Sequence, residues 1–298
     1  MNLKPSHCRR WQLKNQSLEL GTTPRIMGIV NVTPDSFSDG GRYHQTDQAI
    51  DHALKLVEQG ADILDIGGES TRPYSTPVAA EEESDRVIPV IEGIVKHTEI
   101  PISIDTSKAA VAEAALAAGA EIINDVTGLE GDPRMIEVAV TSGAGVCAMH
   151  MQGTPQTMQD NPTYEAVVDE IIGYLMQRRD WLIEQGVARE RICLDPGIGF
   201  GKTHQHNLEL IAHVDRFHAT DCPILVGHSR KGFIKKFSHD ESPERVPGTL
   251  AVSLGLARAG IQIIRVHDVL ETRQGLWMQQ AVADTWAANP TPSAITPW

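Results

Sequence analysis

Short runs of branched aliphatic residues recur along the chain, separated by longer segments with helical periodicity. The runs do not alternate apolar with polar positions, which is typical of strands buried on both faces of a parallel sheet. The pattern predicts eight strands, over residues 25–30, 62–66, 102–105, 122–125, 145–149, 191–195, 223–226 and 263–266. Between them it predicts helices, among them residues 45–59, 108–118, 164–185 and 248–259.

This alternation fits a (β/α)8 TIM barrel, and on pattern alone it also fits an open doubly wound sheet. Polar side chains at the strand ends favour the barrel, because only there do all eight ends meet on one face. These side chains are Asn31, Asp65 with Glu69, Asp105, Asn124 with Asp125, His150, Asp195, Ser229, and His267 with Asp268. We therefore predict an α/β fold, a single TIM barrel over residues 25–288.

The segment before the first strand predicts a short β-hairpin. Apolar and polar residues alternate over 11–13 and 18–20, on either side of Asn15 and Gln16. Such a hairpin has one apolar face, with which residues 1–24 would close the N-terminal mouth of the barrel. The tail over 289–298 contains three prolines, and we expect it to lack fixed structure.

The formal charge of −13 argues against nucleic acids and membrane surfaces as partners, since both are polyanionic. It leaves open an anionic small substrate held in a local basic pocket. No apolar run approaches the roughly 18–20 residues of a membrane span, and the N-terminus lacks the apolar region of a secretory signal. Four scattered cysteines suggest reduced thiols, and we expect a cytoplasmic protein.

Several common motifs fail in this chain. The segment over 195–203 resembles a nucleotide P-loop, but Pro196 stands where its first glycine should be. A dinucleotide fingerprint fails there too, because the third glycine arrives one residue early. What remains is a glycine-rich turn after a strand, which is either a plain connection or a close approach to a ligand. No histidine spacing predicts zinc, and no nucleophile elbow predicts covalent catalysis.

Two polar loops and two basic pairs lie at the predicted catalytic face. The loops over 31–41 and 69–73 are either solvated connectors or mobile lids. Arg230 with Lys231, and Arg265 with His267, follow strands that neighbour each other in a barrel. Cations gathered at one mouth of an acidic protein indicate an anionic ligand, most simply phosphate.

Taken together and in order, these segments resemble the dihydropteroate synthase family from about residue 25 to 280. The matching blocks are MGIVNVTPDSFSDGG at 27–41, GADILDIGGESTRP at 60–73, SIDT at 103–106, INDV at 123–126, MHMQG at 149–153, DPGIGFGK at 195–202, SRK at 229–231 and RVHD at 265–268. The resemblance implies a barrel enzyme that condenses 6-hydroxymethyl-7,8-dihydropterin pyrophosphate with p-aminobenzoate. It also implies a homodimer and a target of sulfonamides.

The resemblance assigns roles to individual residues. Asp195, with Asn124 and Asp105, would bind the edge of the pterin ring, while Lys231 donates to its acceptors and Arg265 stacks on it. Asn31, Arg265 and His267 would hold the pyrophosphate, with Mg²⁺ bound at Asn31. Substrate contacts are also expected from Phe37, Thr71, Pro73, Phe200, Ser229 and Val266. The residues expected to act in catalysis are Asn31, Asp39, Arg72, Lys231, Arg265 and His267.

Two rivals share part of this pattern. A pterin-binding methyltransferase domain has the barrel and some of the ring-binding residues, but it is not expected to carry the SFSDGG and STRP loops together with SRK. A non-catalytic relative would bind the pterin without turnover. A flavin or nicotinamide enzyme is weakened by both failed glycine patterns.

Overall fold

A computed structural model describes residues 10–33, 42–71 and 73–288. Its ten strands are β1 (Arg10–Gln12), β2 (Ser17–Glu19), β3 (Arg25–Asn31), β4 (Ile63–Gly67), β5 (Ile102–Asp105), β6 (Ile122–Asp125), β7 (Gly145–Met149), β8 (Ile192–Asp195), β9 (Leu225–Val226) and β10 (Ile263–Val266). Its α-helices are α1 (Arg42–Glu58), α2 (Ala80–Ile94), α3 (Ala109–Ala118), α4 (Met135–Ser142), α5 (Val167–Glu184), α6 (His204–Ala212), α7 (Gly232–Ser238), α8 (Val246–Arg258) and α9 (Val269–Ala288). Two 3₁₀ segments occupy Arg189–Arg191 and Val214–Thr220.

The eight strands β3–β10 form a closed parallel barrel. From β3 to β8 each strand pairs with the next along the chain, β9 pairs with β10, and β10 returns to pair with β3. Between β8 and β9 the ring closes through a parallel bridge from Leu194 to Ile224, where the Leu194 amide donates to the Pro223 carbonyl at 2.9 Å. The predicted TIM barrel is confirmed, and the alternative prediction of an open doubly wound sheet is wrong.

The predicted strand ends agree with the structure to within a residue or two, and the larger differences have local causes. Strand β9 is shorter than predicted, since Pro223 has no amide hydrogen to donate to the ladder. Helix α5 begins at Val167, three residues later than predicted. The Glu170 carboxylate accepts from the amides of Glu165 and Ala166 at 2.8 and 2.7 Å, which caps the helix there.

The predicted N-terminal hairpin is also confirmed. Strands β1 and β2 pair antiparallel, and Trp11 is fully buried, with its indole nitrogen donating to the Arg191 carbonyl at 2.8 Å. The apolar face of the hairpin packs inside the barrel against residues near the N-terminal ends of the strands, namely Met27, Ile63, Ile122, Cys147, Cys193, Leu225 and Ile263. The hairpin therefore closes the mouth opposite the candidate site.

A larger apolar layer lies between the barrel and the surrounding helices. Cys147, Cys193 and Cys222 are buried, and none of them is in a disulfide in the part of the chain that the structure describes. Across the described ranges, no helix has the length and apolar character needed to cross a bilayer. The expectation for the tail over 289–298 lies outside the described residues.

Candidate active site

The carboxyl ends of the strands bring most of the predicted site residues to one face. Asn31 ends β3, Asp105 ends β5, Asn124 is the last but one residue of β6, Asp195 ends β8, and Arg265 and Val266 end β10. Ser229, Lys231 and His267 follow β9 and β10 directly, Phe200 lies after β8, and Thr71 and Pro73 follow β4. Three predicted residues, Phe37, Asp39 and Arg72, lie outside the described residues.

Arg265 is held at the centre of this face by two carboxylates. Its Nε donates to Asp65 Oδ2 at 2.5 Å, and its Nη2 donates to Asp105 Oδ2 at 2.6 Å. Burial works against the charged guanidinium, but attraction to Asp65 and Asp105 prevails and raises the pKa of Arg265. Because the carboxylates take up the edge of the guanidinium, its flat faces stay available for a ring to stack on.

Asp65 also orients Asn124. The Asn124 Nδ2 donates to both Asp65 oxygens, at 3.3 and 3.2 Å, so the amide oxygen is left to accept from a ligand. Asp65 is fully buried within β4; its position among the polar strand ends predicts that it faces the site, but no binding or catalytic role is predicted for it. The sequence does contain a signal for this role, since Asp65 lies inside an apolar strand. A carboxylate there needs partners, because an unpaired buried charge is unfavourable.

Asp105 offers an unused acceptor. One of its oxygens binds Arg265, while Oδ1 is buried and has no hydrogen-bond partner within the described part of the chain. Burial raises the pKa of Asp105 to about 7; Arg265 opposes this rise and the charge on Asp65 adds to it. A ligand that donates a hydrogen bond to Oδ1 would satisfy this oxygen.

Asp195 is only 5% exposed. Its Oδ1 accepts from the Gly197 amide at 2.7 Å, which fixes the plane of the carboxylate. Burial raises the pKa of Asp195, and the Gly197 amide and Lys231 work in the opposite direction. Asp195 thus presents a fixed, poorly solvated acceptor at the end of β8.

Lys231 lies close to Asp195 in the same pocket. Its ammonium donates to the Ile198 carbonyl and lies 4.4 Å from the centre of the Phe200 ring. Burial lowers the pKa of Lys231 to about 7, against the attraction of Asp195. A Cβ at Gly199, where φ is +84°, would lie 2.8 Å from Lys231 Cδ, so glycine is needed for this approach.

The glycine-rich turn after β8 is therefore more than a plain connection. A Cβ at Gly197 would lie 1.9 Å from the His150 carbonyl oxygen, so the turn packs tightly against the end of β7. Lys202, 2% exposed, joins the two segments by donating to the Phe200 carbonyl at 2.8 Å and contacting His150 Nδ1 at 3.0 Å. Burial lowers the pKa of Lys202 well below its ordinary value. Burial also lowers the pKa of His150 to about 3, with a further contribution from the neighbouring Lys202.

Ser229 and His267 form a second polar pair across β9 and β10. The Ser229 Oγ accepts from the His267 amide at 3.2 Å and lies 3.1 Å from His267 Nδ1. If the hydroxyl donates to Nδ1, the imidazole proton is on Nε2, where it can serve an anion. By contrast, Arg230 pairs with Asp268, with Nη2 to Oδ1 at 2.5 Å. Val266, predicted as a substrate contact, is fully buried in the core.

The site therefore combines three carboxyl side chains, Asp65, Asp105 and Asp195, with three basic side chains, Lys202, Lys231 and Arg265. Its acceptors and donors suit a flat heterocycle whose edge carries both kinds of group. Within the part of the chain described, no three His, Cys, Asp or Glu residues lie close enough together to hold a metal ion. A metal here would need oxygen atoms from a ligand or from water.

Known proteins support the same chemistry. The family model described as pterin binding enzyme matches residues 27–267. The chain is 45% identical over 265 residues to a dihydropteroate synthase of Escherichia coli, covering 89% of this chain and 93% of the relative.

Solved structures of two further dihydropteroate synthases are similar over most of the chain. The enzyme of Xanthomonas albilineans with 4-aminobenzoic acid has a TM-score of 0.86 at 45% identity, covering 92% of this chain and 98% of that chain. The same enzyme in complex with 7,8-dihydropteroate has a TM-score of 0.83 at 43% identity, with the same coverage. The Yersinia pestis enzyme in a sulfonamide drug complex has a TM-score of 0.86 at 42% identity, covering 92% and 99%.

Proposed function

The chain belongs to the dihydropteroate synthase family of pterin-binding enzymes, and from this we propose how its residues carry out the reaction. It is a transferase that condenses 6-hydroxymethyl-7,8-dihydropterin pyrophosphate with p-aminobenzoate, forming 7,8-dihydropteroate and pyrophosphate. The observation that carries the residue assignment is the buried and partly buried cluster of Asp195, Lys231, Asn124 and Asp105 around Arg265.

The pterin ring binds by its edges in this proposal. Asp195 accepts the two parallel donors of the aminopyrimidinone edge, and its fixed plane favours a bidentate contact. The amide oxygen of Asn124 and the Oδ1 of Asp105 accept from other ring donors. Lys231 donates to the ring acceptors, which no carboxylate can do. Arg265 stacks on one face of the ring with its own edge held by Asp65 and Asp105.

The reaction needs charge stabilisation more than a nucleophile. The bond from the pterin methylene to the pyrophosphate oxygen breaks, the aniline nitrogen forms the new bond, and that nitrogen loses a proton. Positive charge develops on the pterin as the leaving group departs. The buried carboxylate of Asp195 and the partly buried carboxylate of Asp105 stabilise it more strongly than they would in water.

The departing pyrophosphate is held by Asn31, His267 and Arg265. His267 offers an Nε2 donor when Ser229 fixes its other nitrogen. Mg²⁺ fits this arrangement, because it often binds one protein oxygen together with substrate phosphates and water. Asn31, half-buried at the end of β3, supplies that oxygen, and the metal when bound neutralises charge on the leaving group.

The p-aminobenzoate site is proposed beside Phe200 and Ser229. Thr71 and Pro73 follow β4 on the same face and complete the pocket. The relatives solved with 4-aminobenzoic acid and with a sulfonamide drug support a pocket of this kind. Sulfonamides are expected to compete with p-aminobenzoate here.

We further propose that the enzyme is a cytoplasmic homodimer. Helix α9 exposes Trp277, Met278, Val282 and Trp286, each more than half accessible, on one face. An apolar patch with two tryptophans is unusual on a monomer and suits the face of a second copy. Three buried cysteines that are not in disulfides among the described residues, Cys147, Cys193 and Cys222, agree with a reducing compartment.

The test is an assay for 7,8-dihydropteroate and pyrophosphate from the two substrates, run with and without Mg²⁺. We expect equal amounts of both products, formed at a rate that depends on p-aminobenzoate. Pterin binding with no product would indicate the non-catalytic relative, and would refute the proposed catalysis while leaving the ring site intact.

A further inference from the structure

The loop over 69–78 follows β4, and a hydrogen bond joins its first residue to its last. The Glu69 Oε1 accepts from the Val78 amide at 3.3 Å, so the carboxylate at the start of the loop holds its far end. From helix α2, Arg86 Nη1 donates to the Gly68 carbonyl at 2.7 Å. The geometry of the loop therefore depends on the position of Glu69.

Lys108 ties Glu69 to the barrel. Its ammonium donates to Glu69 Oε2, and it also donates to Glu83 Oε2 at 2.5 Å. Glu83 is fully buried in helix α2, and its second oxygen has no hydrogen-bond partner among the described residues. A buried carboxylate of this kind needs a cation, so Lys108 is held firmly in place. We call Glu69, Glu83 and Lys108 the loop anchor.

The loop anchor connects the loop to the strand that carries a ring-binding residue. Lys108 lies three residues after Asp105, at the start of helix α3. On the other side of the loop, the Tyr74 amide donates to the Pro155 carbonyl and its hydroxyl to Asp160 Oδ1, both at 3.1 Å. Thr71 and Pro73 therefore lie between two fixed points, one on the barrel and one on the segment between β7 and α5.

We propose that Lys108 is a positioning residue for p-aminobenzoate: by holding Glu69, it sets where Thr71 and Pro73 stand relative to the site. This inference rests on the proposed function. Lys108 does not itself contact substrate. Cutting its link to the loop should therefore weaken binding of the second substrate and leave binding of the pterin largely unaffected, because Asn124 and Asp195 lie on β6 and β8 and Lys231 follows β9.

The cleanest variant is Glu69→Gln, which cuts the charged link while leaving the buried Lys108–Glu83 pair intact. We expect the KM for p-aminobenzoate to rise roughly three- to tenfold, the size of effect that follows the loss of one ordinary hydrogen bond. The KM for the pterin pyrophosphate should stay within about twofold, as expected for a site that keeps its own contacts. Lys235→Met is the matched control, since its partner Glu241 is on the surface and both side chains are well exposed.

A second variant removes Lys108, the other partner of the Lys108–Glu69 ion pair. Lys108→Met alone would leave the Glu83 carboxylate buried and unpaired, so it is combined with Glu83→Gln. The double substitution removes one positive and one negative charge and leaves the net charge of the protein unchanged. This double variant should raise the same KM as Glu69→Gln, and adding Glu69→Gln to it should raise that KM little further, because the residues act through one contact.

An unchanged KM for p-aminobenzoate in folded Glu69→Gln enzyme overturns the inference. So does an equal rise in both KM values, which would mean that the loop anchor supports the whole barrel mouth. Failure of the proposed function looks different, since wild-type protein would then form no dihydropteroate at all.

Discussion

Replacing Asp195 with Asn should remove most of the affinity for pterin without harming the fold. The Asn oxygen can keep the contact with the Gly197 amide, now 2.7 Å, so the turn is preserved. The other carboxylate oxygen becomes an NH₂ group and faces ring donors. Each hydrogen bond to a charged group contributes about 1.5–3 kcal/mol. Because burial already disfavours the charge, we expect a net loss of about 2–4 kcal/mol, or roughly 30- to 700-fold in Kd.

The stability of this variant provides a second, independent readout. Burial raises the folded-state pKa of Asp195 above its unfolded value, so ionised Asp195 opposes folding at every pH above the unfolded pKa. Removing that charge should leave Tm unchanged or slightly higher at neutral pH. Lost affinity together with retained stability is the pattern expected of a residue that contributes to ligand binding but lowers the stability of the folded state.

The measurement is calorimetry with a pterin that lacks the pyrophosphate, together with thermal unfolding. Asp62→Asn is the matched control, since Asp62 is a partly buried carboxylate at the opposite end of the barrel, paired with Arg25 and Arg273. It should lower Tm and leave the pterin Kd unchanged. Folded Asp195→Asn enzyme with a Kd within about threefold of wild type, well below the loss expected here, would refute the assignment of Asp195.

Three further predictions concern the metal, the order of binding and the assembly. Chelating Mg²⁺ should lower turnover far more than it lowers calorimetric affinity for a pterin without pyrophosphate; equal weakening would contradict a leaving-group role at Asn31. p-Aminobenzoate should bind the free enzyme poorly and gain roughly tenfold or more when pyrophosphate and Mg²⁺ are present, and equal affinity would mean a preformed pocket. Trp277→Glu should convert the dimer to a monomer by light scattering, and a wild-type monomer would contradict the proposed interface.

Much of the fold could be predicted because its signals are local. Unbroken apolar runs such as 145–149 can only be buried strands here, and a polar residue at each strand end pointed to one shared face. Asp195, Asn124 and Arg265 were selected in this way, with their roles supplied by the family resemblance. The hairpin could be predicted from the alternation around Asn15 and Gln16.

The pairings inside the site could not be predicted, because they join residues far apart in the chain. Arg265 and Asp65 are separated by 200 positions, and Lys108 and Glu69 by 39. Strand-end position shows that two side chains share a face, but it does not show which carboxylate binds which cation. The loop anchor and the orientation of Asn124 by Asp65 therefore emerged only from the structure.

The two groups in the site with pKa values near 7 predict the pH dependence of pterin binding. Ionised Asp105 is the better acceptor, and burial raises its pKa to about 7, so it protonates and loses acceptor strength as pH falls. Protonated Lys231 is the better donor, and burial lowers its pKa to about 7, so its charge is lost as pH rises. Affinity should therefore peak near neutral pH and fall on both sides.

Single substitutions separate the two limbs of this profile. Asp105→Asn should remove the acidic limb, leaving affinity that declines only as pH rises through about 7, while Lys231→Met should leave only the acidic limb. Each profile is measured by calorimetry between about pH 5 and pH 9. This range extends roughly two pH units on either side of a pKa near 7, over which such groups complete their titration. An acidic limb that persists in Asp105→Asn would mean that another carboxyl controls it. Asp195 is the next candidate, because burial raises its pKa too and it faces the same ligand edge.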